Sequence, residues 1–211
     1  MINAKEIIEK AKLLPVIKLD RVDDAIPLAE ALIEGGLPVM EITFRTDAAE
    51  ESIRAVSKAC PDVLTGAGTI TTLDQVKRAY DAGAKYIVTP GISNVVLEYC
   101  CTNNIPVYPG ACTPTEIIQV MEFGLDIIKF FPAAQYGGLS TVKALAAPFP
   151  SIKFVPTGGV SESNLLEYLA FPKVIACGGS WMVKDDMLRA GDFKGISALV
   201  AKAVELVKSA E

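Results

Sequence analysis

VDDAIPLAEALIEGGLPVMEITF (residues 22–44) contains both kinds of element from which the fold is built. Its first part, residues 22–36, spaces apolar residues at helical intervals and ends on two glycines, where helices commonly stop. Its second part, residues 37–44, is a short apolar run of the kind found in parallel strands buried on both faces. The stretch therefore predicts a helix followed by a strand of a parallel sheet.

The strand part of this unit recurs along the chain. Similar apolar runs, most of them closing on Gly or Pro, occupy residues 13–19, 37–44, 62–69, 85–91, 105–111, 126–133, 152–159 and 173–180. Helix-period stretches such as TLDQVKRAYDAGA (72–84) lie between them. Eight such units predict an α/β protein, a (β/α)8 TIM barrel forming a single domain over residues 1–211. An extra N-terminal helix at about residues 3–12 is expected to close the barrel bottom. A doubly wound open sheet is the alternative, although it usually has fewer strands at this length.

The composition narrows the classes of function. The chain has 211 residues, 51% of them hydrophobic, and a formal net charge of −5, which makes nucleic-acid binding unfavourable. No apolar run approaches the roughly 18 residues of a membrane span, and the N-terminus has no apolar signal core. The five cysteines show no CxxC spacing, so we expect free thiols and a cytoplasmic location.

The absence of histidine limits the chemistry most sharply. With no histidine in the chain, Ser-His-Asp and Cys-His catalysis and histidine-bound zinc are excluded. Catalysis at neutral pH would depend on carboxylates, lysine, arginine, hydroxyls or thiols. In a barrel these groups act at the carboxyl ends of the strands, so the search is limited to residues in or just after the eight runs.

Lys129 is the first unusual residue in those runs. It stands in IIKFFPA (127–133), surrounded by Ile and Phe, where burying an ammonium ion is costly. A neutral amine in an apolar pocket is what Schiff-base chemistry with a ketone requires. Two structural alternatives are a lysine paired with a buried carboxylate and a lysine whose side chain reaches outward to solvent.

Glu41 is the second unusual residue, because it is a carboxylate inside the apolar run that contains VMEITF (39–44). Side chains alternate along a strand, so Glu41, Thr43 and Arg45 share one face. The pattern indicates a proton-carrying carboxylate with a carboxylate-binding arginine at the rim. The alternative is a structural Glu41 paired with Lys129 or Lys18.

Glycine pairs close the last two runs. PTGGVSESN (156–164) and CGGS (177–180) place backbone N–H groups where barrels often hold phosphate, with Ser161 as the expected N-cap of the next helix. The alternative is a pair of tight turns without a ligand. Thr69, at the end of the third run, offers a hydroxyl at the same level.

Taken in order, several strand ends resemble those of one enzyme family, the class I 2-keto-3-deoxy-6-phosphogluconate (KDPG) / 4-hydroxy-2-oxoglutarate aldolases. The motifs that carry the resemblance are EITFRT (41–46), GAGT (66–69), TPG (89–91), IKFFPA (128–133), PTGG (156–159) and CGGSW (177–181). The resemblance covers nearly the whole chain, from about residue 14 to 193.

The resemblance implies a homotrimer of (β/α)8 barrels and a Schiff-base mechanism that requires neither metal nor cofactor. It implies Lys129 as the imine-forming lysine and Glu41 as the general acid/base. The implied substrate is a phosphorylated 2-keto-3-deoxy sugar acid, cleaved to pyruvate and an aldehyde. The residues implied to bind it are Arg45 and Thr69 at the pyruvate carboxylate, Pro90 and Phe131 in the pyruvyl pocket, Thr157 at the substrate hydroxyls, and Gly158, Gly159, Gly179 and Ser180 at the phosphate. The role of Lys18 stays open, because relatives carry either an arginine or an apolar residue at its position.

Two other functions are compatible with the same residues. A phosphosugar isomerase or epimerase would use Glu41 as its base and leave Lys129 without a covalent role. A catalytically silent phosphometabolite-binding barrel would bind ligand without turnover. Within the aldolases, the sequence does not decide between the gluconate and galactonate stereoisomers or 4-hydroxy-2-oxoglutarate as the preferred substrate.

Overall fold

The apolar runs form parallel β-strands in the computed structural model, which describes residues 3–210. Each of the eight runs contains one strand, which is shorter than the run. The strands are β1 (Leu13–Ile17), β2 (Val39–Thr43), β3 (Leu64–Gly68), β4 (Ile87–Val88), β5 (Val107–Tyr108), β6 (Ile127–Phe130), β7 (Lys153–Pro156) and β8 (Cys177–Gly179).

Helices alternate with these strands and present their apolar stripe to the core. Two of them begin with a capping box, in which Thr72 and Thr113 pair with Gln75 and Glu116. The helices are α1 (Ala4–Ala11), α2 (Ala25–Glu34), α3 (Ala49–Ala59), α4 (Leu73–Asp81), α5 (Asn94–Thr102), α6 (Pro114–Glu122), α7 (Gly138–Ala146), α8 (Leu165–Leu169), α9 (Asp185–Ala190) and α10 (Phe193–Lys208). None of the helices within residues 3–210 is long and apolar enough to cross a membrane.

The strand pairing gives an α/β architecture with parallel sheets. Six strands form one sheet in the order β5-β4-β3-β2-β1-β8, and β6 pairs with β7 in a second sheet. Isolated parallel bridges join Gly110 to Lys129 and Thr157 to Gly178, between the strands that border the two sheets. Because parallel strands end on the same side, the loops after β2, β3, β6, β7 and β8 meet at one face of the molecule.

Helix α1 packs at the opposite, amino-terminal side of β6 and β7. Ile8 is buried in the core, while Lys5 pairs with Asp126 just before β6 and Glu9 pairs with Lys153, the first residue of β7. The interior above α1 is lined by side chains of the strands, including Leu14, Tyr108 and Val155, all of them buried. The two strands are thus fixed from below by a helix and end, above, at the face that carries the loops.

The helix expected within residues 22–36 is confirmed as α2, preceded by a 3₁₀ turn (Val22–Asp24), and Pro27 lies in its first turn, where a missing N–H is tolerated. One local prediction is wrong. Ser161 is not an N-cap, because α8 begins only at Leu165, after Asn164. The Ser161 amide donates instead to Asn164 Oδ1 (2.9 Å) within the preceding turn.

Candidate active site

The centre of the site is a buried ion pair between opposite strands. Lys129 on β6 donates from Nζ to Glu41 Oε1 on β2 at 3.1 Å. The lysine side chain is 8% exposed and the glutamate side chain is fully buried. Burial removes both charges from water, which is costly unless the pair is well satisfied, so the pair is weak evidence for a stabilising role.

The glutamate is only half satisfied. Its Oε2 is buried and has no hydrogen-bond partner among the described residues. An unpaired carboxylate oxygen next to an amine is available to accept or return a proton. The sequence alternative in which Glu41 pairs with Lys18 is wrong, since Lys18 pairs with Asp20 (2.7 Å).

The face shared by Glu41, Thr43 and Arg45 continues to the rim. Arg45 Nε donates to the Thr43 hydroxyl at 3.1 Å, and that hydroxyl donates to the carbonyl of Ile17 at 2.9 Å. The terminal guanidinium nitrogens have no partner within the part of the chain that the structure describes. They are therefore free to form a bidentate contact with a carboxylate.

Thr69 follows β3 directly and has an unusual backbone. Its φ is 57°, in the left-handed region that a β-branched residue rarely adopts. Such strained positions are concentrated at functional sites, where the surrounding structure imposes them. The residue is half-buried, so its side chain is accessible from the face that carries the loops.

Phe131 and Pro90 stand at the exposed side of the pair. The Lys129 ammonium lies 5.4 Å from the centroid of the Phe131 ring, a cation–π distance. Phe131 is 38% exposed although it follows a buried strand, and Pro90 is exposed at the end of the fourth run. The Cys112 thiol donates to the Phe131 carbonyl at 2.9 Å, and burial is the main cause that raises the pKa of this thiol.

The first glycine pair, Gly158 and Gly159, follows β7, and the second, Gly178 and Gly179, ends β8 on the same face. Thr157 is buried, and its hydroxyl packs directly over Gly178, where a Cβ would collide with it. Gly158 and Gly159 have φ values of 90° and 79°, which only glycine adopts without strain. The amides of Gly159 and Val160, after β7, and of Ser180, after β8, donate to none of the residues described, so the two loops present free N–H groups. Such an arrangement can bind an anion.

Two further lysines in strand regions lie away from the pair. Lys153 begins β7 at the amino-terminal end and pairs with Glu9 (2.8 Å). Lys18 lies near the site face but is bound to Asp20. Within residues 3–210, no group of three or more His, Cys, Asp or Glu side chains is arranged to hold a metal ion.

Two residues near Glu41 were missed by the sequence reasoning. A Cβ on Gly68 would collide with Oε1 of Glu41, so the carboxylate occupies space that only a glycine leaves open. Tyr86, fully buried before β4, donates its hydroxyl to the carbonyl of Met40 at 2.8 Å. The GAGT motif contained a signal for the first, since glycine inside a strand often marks a close approach. The sequence around Tyr86 is apolar and contained no signal for its role.

Parallel strands with a buried amine, a half-satisfied carboxylate and an anion-binding turn at their carboxyl ends define a class, the enzymes that act on small carbonyl compounds through an imine. Comparison with known proteins narrows this class. The sequence profile of the family "KDPG and KHG aldolase" matches residues 4–199. The chain belongs to that family.

Individual relatives agree over nearly their full length. The chain is 46% identical to the 2-dehydro-3-deoxy-phosphogluconate aldolase of Treponema pallidum (strain Nichols), over 98% of this chain and 99% of that one. It is 39% identical to the KHG/KDPG aldolase of Escherichia coli (strain K12), over 98% and 97%. Among solved structures it resembles the KDPG aldolase of Legionella pneumophila, captured with pyruvate as a covalent carbinolamine, with a TM-score of 0.92, 35% identity and coverage of 96% and 98%.

Proposed function

We propose that this protein is a class I aldolase that cleaves 2-dehydro-3-deoxy-6-phosphogluconate to pyruvate and glyceraldehyde 3-phosphate. We propose 4-hydroxy-2-oxoglutarate, cleaved to pyruvate and glyoxylate, as a second substrate. The observation that carries the proposal is the buried contact between Lys129 Nζ and Glu41 Oε1, with Oε2 of the same carboxylate unpartnered. Membership of the aldolase family and the names of the relatives support the choice of substrate.

In the first half of the reaction, the Lys129 amine attacks the C2 ketone, and the carbinolamine loses water to give a protonated imine. This imine is the electron sink for cleavage. Glu41 removes the proton of the C4 hydroxyl, the C3–C4 bond breaks, and its electron pair moves into the imine to form an enamine. Glyceraldehyde 3-phosphate leaves with the new aldehyde carbonyl at the former C4.

In the second half, the same carboxyl group acts in reverse. Protonated Glu41 returns a proton to the enamine carbon, directly or through water, and regenerates the imine of pyruvate. Water then hydrolyses that imine, which releases pyruvate and restores the Lys129 amine. One carboxylate serves both steps because it takes a proton in the first and gives it back in the second.

The pyruvate end of the substrate is assigned to the rim above Glu41. Arg45, with two terminal nitrogens free of partners among the described residues, holds the carboxylate in a bidentate contact, and Thr69 adds its hydroxyl. Pro90 and Phe131 form the walls of the pyruvyl pocket. The centroid of the Phe131 ring lies 5.4 Å from Lys129 Nζ, and this position supports the assignment.

The phosphate end is assigned to the turns after β7 and β8. Gly158, Gly159, Gly179 and Ser180 hold the phosphate, chiefly through backbone N–H groups. Buried Thr157 directly precedes Gly158 and lines the same small internal cavity as Lys129, and we assign to it the contact with the substrate hydroxyls. A contact at that position would influence which C4 stereoisomer is preferred.

We also propose that the strands close into a complete (β/α)8 barrel, a single domain over residues 1–211 with α1 covering its amino-terminal end. The isolated bridges from Gly110 to Lys129 and from Thr157 to Gly178 support closure, because they connect the borders of the two sheets. We propose further that the chain forms a homotrimer in the cytoplasm. Exposed Val95, Ile118 and Met121 supply apolar surface for such contacts. Light scattering in solution would show three times the chain mass of 22.4 kDa.

The function is tested by supplying 2-dehydro-3-deoxy-6-phosphogluconate and measuring both products separately. Equal amounts of pyruvate and glyceraldehyde 3-phosphate are expected. Conversion of the substrate to an isomer without pyruvate would contradict the proposal, and so would binding without turnover. Parallel assays with the galactonate stereoisomer and with 4-hydroxy-2-oxoglutarate rank the substrates by kcat/KM.

A further inference from the structure

Two glycines of β3 lie on the face of the strand that meets Glu41. Gly66 and Gly68 are two residues apart and so point to the same side. In the parallel register of β2 and β3, Glu41 lies opposite Gly66 and Thr43 lies opposite Gly68. A side chain at position 41 that extended straight across to the neighbouring strand would therefore lie over Gly66.

The carboxylate of Glu41 lies elsewhere. A Cβ on Gly68, not on Gly66, would collide with Oε1, Cδ and Cγ of Glu41. The glutamate side chain thus leans along the strand toward its carboxyl end, and this brings Oε1 to 3.1 Å from Lys129 Nζ.

The space over Gly66 is occupied by the ring of Tyr86. A Cβ on Gly66 would collide with Cζ and both Cε atoms of that ring. The ring is held on one side by the hydroxyl, which donates to the Met40 carbonyl at 2.8 Å, and on the other by Tyr108, whose ring centroid is 5.8 Å away. Tyr86 is fully buried, so the ring is enclosed by protein.

We propose that Tyr86 is a positioning residue, whose ring fills the space over Gly66 and thereby directs the Glu41 carboxylate over Gly68, where it meets Lys129. This inference rests on the proposed role of Glu41 as the acid/base. The Tyr86 hydroxyl anchors the ring to the backbone carbonyl of Met40, the residue before Glu41. Burial, and then the charge of Glu41, raise the pKa of Tyr86 well above its ordinary value, so the hydroxyl remains a donor throughout the working pH range.

The test compares two substitutions of Tyr86 with a matched control. Tyr86→Leu removes the ring and opens the space over Gly66, whereas Tyr86→Phe keeps the ring and removes only the anchor. Tyr80→Leu, on the half-exposed surface of α4, is the control for the same change in composition. Each variant is measured for kcat and KM in cleavage and for the yield of reduced pyruvate adduct on Lys129 with borohydride.

We expect Tyr86→Leu to lose about 10²-fold in kcat, the size of effect that an ångström-scale misplacement of a catalytic group produces. KM and the adduct yield should stay near those of the wild type, because the substrate contacts and Lys129 are untouched. Tyr86→Phe should recover most of kcat, since the ring is present. Tyr80→Leu should match the wild type. A role limited to general stability would lower adduct yield and kcat together.

The failure of this inference is distinguishable from failure of the proposed function. If Glu41→Gln loses cleavage but Tyr86→Leu cleaves at the wild-type kcat, Tyr86 does not position the carboxylate, although the aldolase mechanism stands. If the wild type neither traps pyruvate nor cleaves the substrate, the proposed function itself is wrong. Should Tyr86→Leu not fold, Tyr86→Met removes the ring but leaves a flexible, unbranched side chain that adapts to irregular core space, and asks the same question. Loss of kcat with retained trapping supports the account, and an unchanged kcat overturns it.

Discussion

Lysine–carboxylate pairs lie at both ends of β6, with a further pair at the amino-terminal end of β7, and the pairs differ more in burial than in distance. At the amino-terminal end, Lys5–Asp126 and Lys153–Glu9 are separated by 2.7 and 2.8 Å, with every side chain at least 30% exposed. At the carboxyl end, Lys129–Glu41 is longer, at 3.1 Å, but 8% and 0% exposed. The shorter contacts lie in water and the longer one is enclosed.

The difference shows that distance alone does not identify a reactive lysine. Exposed pairs are solvated and screened, and typically contribute about 0–1 kcal/mol to stability. A buried pair gives up the hydration of both groups and gains little net stability in return. Burial rather than distance therefore sets the Lys129–Glu41 pair apart, and Oε2 of Glu41, which has no hydrogen-bond partner among the described residues, is the atom that can take a proton.

The sharpest test of the comparison substitutes one lysine at each end. We expect Lys129→Ala to reduce turnover by at least about 10⁴-fold, since no other described amine contacts Glu41 and the covalent intermediate is lost. Lys153→Ala should retain the wild-type kcat. Circular dichroism confirms that both variants are folded, and pyruvate release is the measured quantity.

Near-normal turnover by Lys129→Ala would eliminate the Schiff-base mechanism. A large loss in Lys153→Ala would mean that the exposed pair at the amino-terminal end also controls the site.

The second test substitutes the two glutamates. Glu41→Gln should lower kcat for cleavage by about 10²–10⁴-fold, the usual contribution of a general acid/base, while imine formation with pyruvate continues. Glu9→Gln should leave kcat unchanged. Rapid-quench measurement of pyruvate release, next to the yield of borohydride-reduced adduct, separates the two steps. If Glu41→Gln instead prevents adduct formation, its role lies before C–C cleavage and the assignment made here is wrong.

A smaller effect on activity is expected when Arg45, at the rim of the site, is substituted. Arg45→Ala should raise KM by about 10- to 150-fold with a modest change in kcat, because hydrogen bonds to a charged group contribute about 1.5–3 kcal/mol. Arg54→Ala, on the exposed surface of α3, is the matched control. Saturation curves with pyruvate-forming substrate are the measurement, and an Arg45→Ala variant that saturates like the wild type would exclude the carboxylate contact.

The smallest effect, on stability alone, is expected when the ion pairs at the amino-terminal ends of β6 and β7 are broken. Lys5→Ala and Lys153→Ala should each lower the free energy of unfolding by about 1 kcal/mol or less, and salt should reduce the difference because exposed charges are screened. Urea unfolding at low and high salt measures this. A loss of several kcal/mol in either variant would show that α1 fixes β6 and β7 far more strongly than its exposed ion pairs suggest.

Much of this arrangement followed from local sequence signals. Each strand was found from its apolar run, and Lys129 and Glu41 stood out because a charged residue inside such a run is costly to bury. Of the two partners that the structural alternative offered for Glu41, Lys129 and Lys18, the structure shows Lys129. These signals are local, since period and polarity are properties of a few neighbouring residues.

What the sequence did not reveal depends on contacts between distant strands. The positions of the Glu41 carboxylate over Gly68 and of the Tyr86 ring over Gly66 depend on the register of β2 and β3. They also depend on Tyr86 itself, which precedes β4. The left-handed backbone of Thr69 and the turn that replaces the expected Ser161 cap are set by packing rather than by residue preference. A single sequence contains no direct signal for such distances.

The central claim is that Lys129 forms an imine with the pyruvyl carbonyl. The most direct measurement is peptide mass analysis of the whole protein after incubation with pyruvate and sodium borohydride, with Lys129→Ala treated in parallel. We predict one reduced pyruvyl group per chain, on Lys129, and none in the variant. Absence of the adduct under conditions in which a control aldolase is fully labelled, or its appearance on Lys18 or Lys153 instead, would contradict the account.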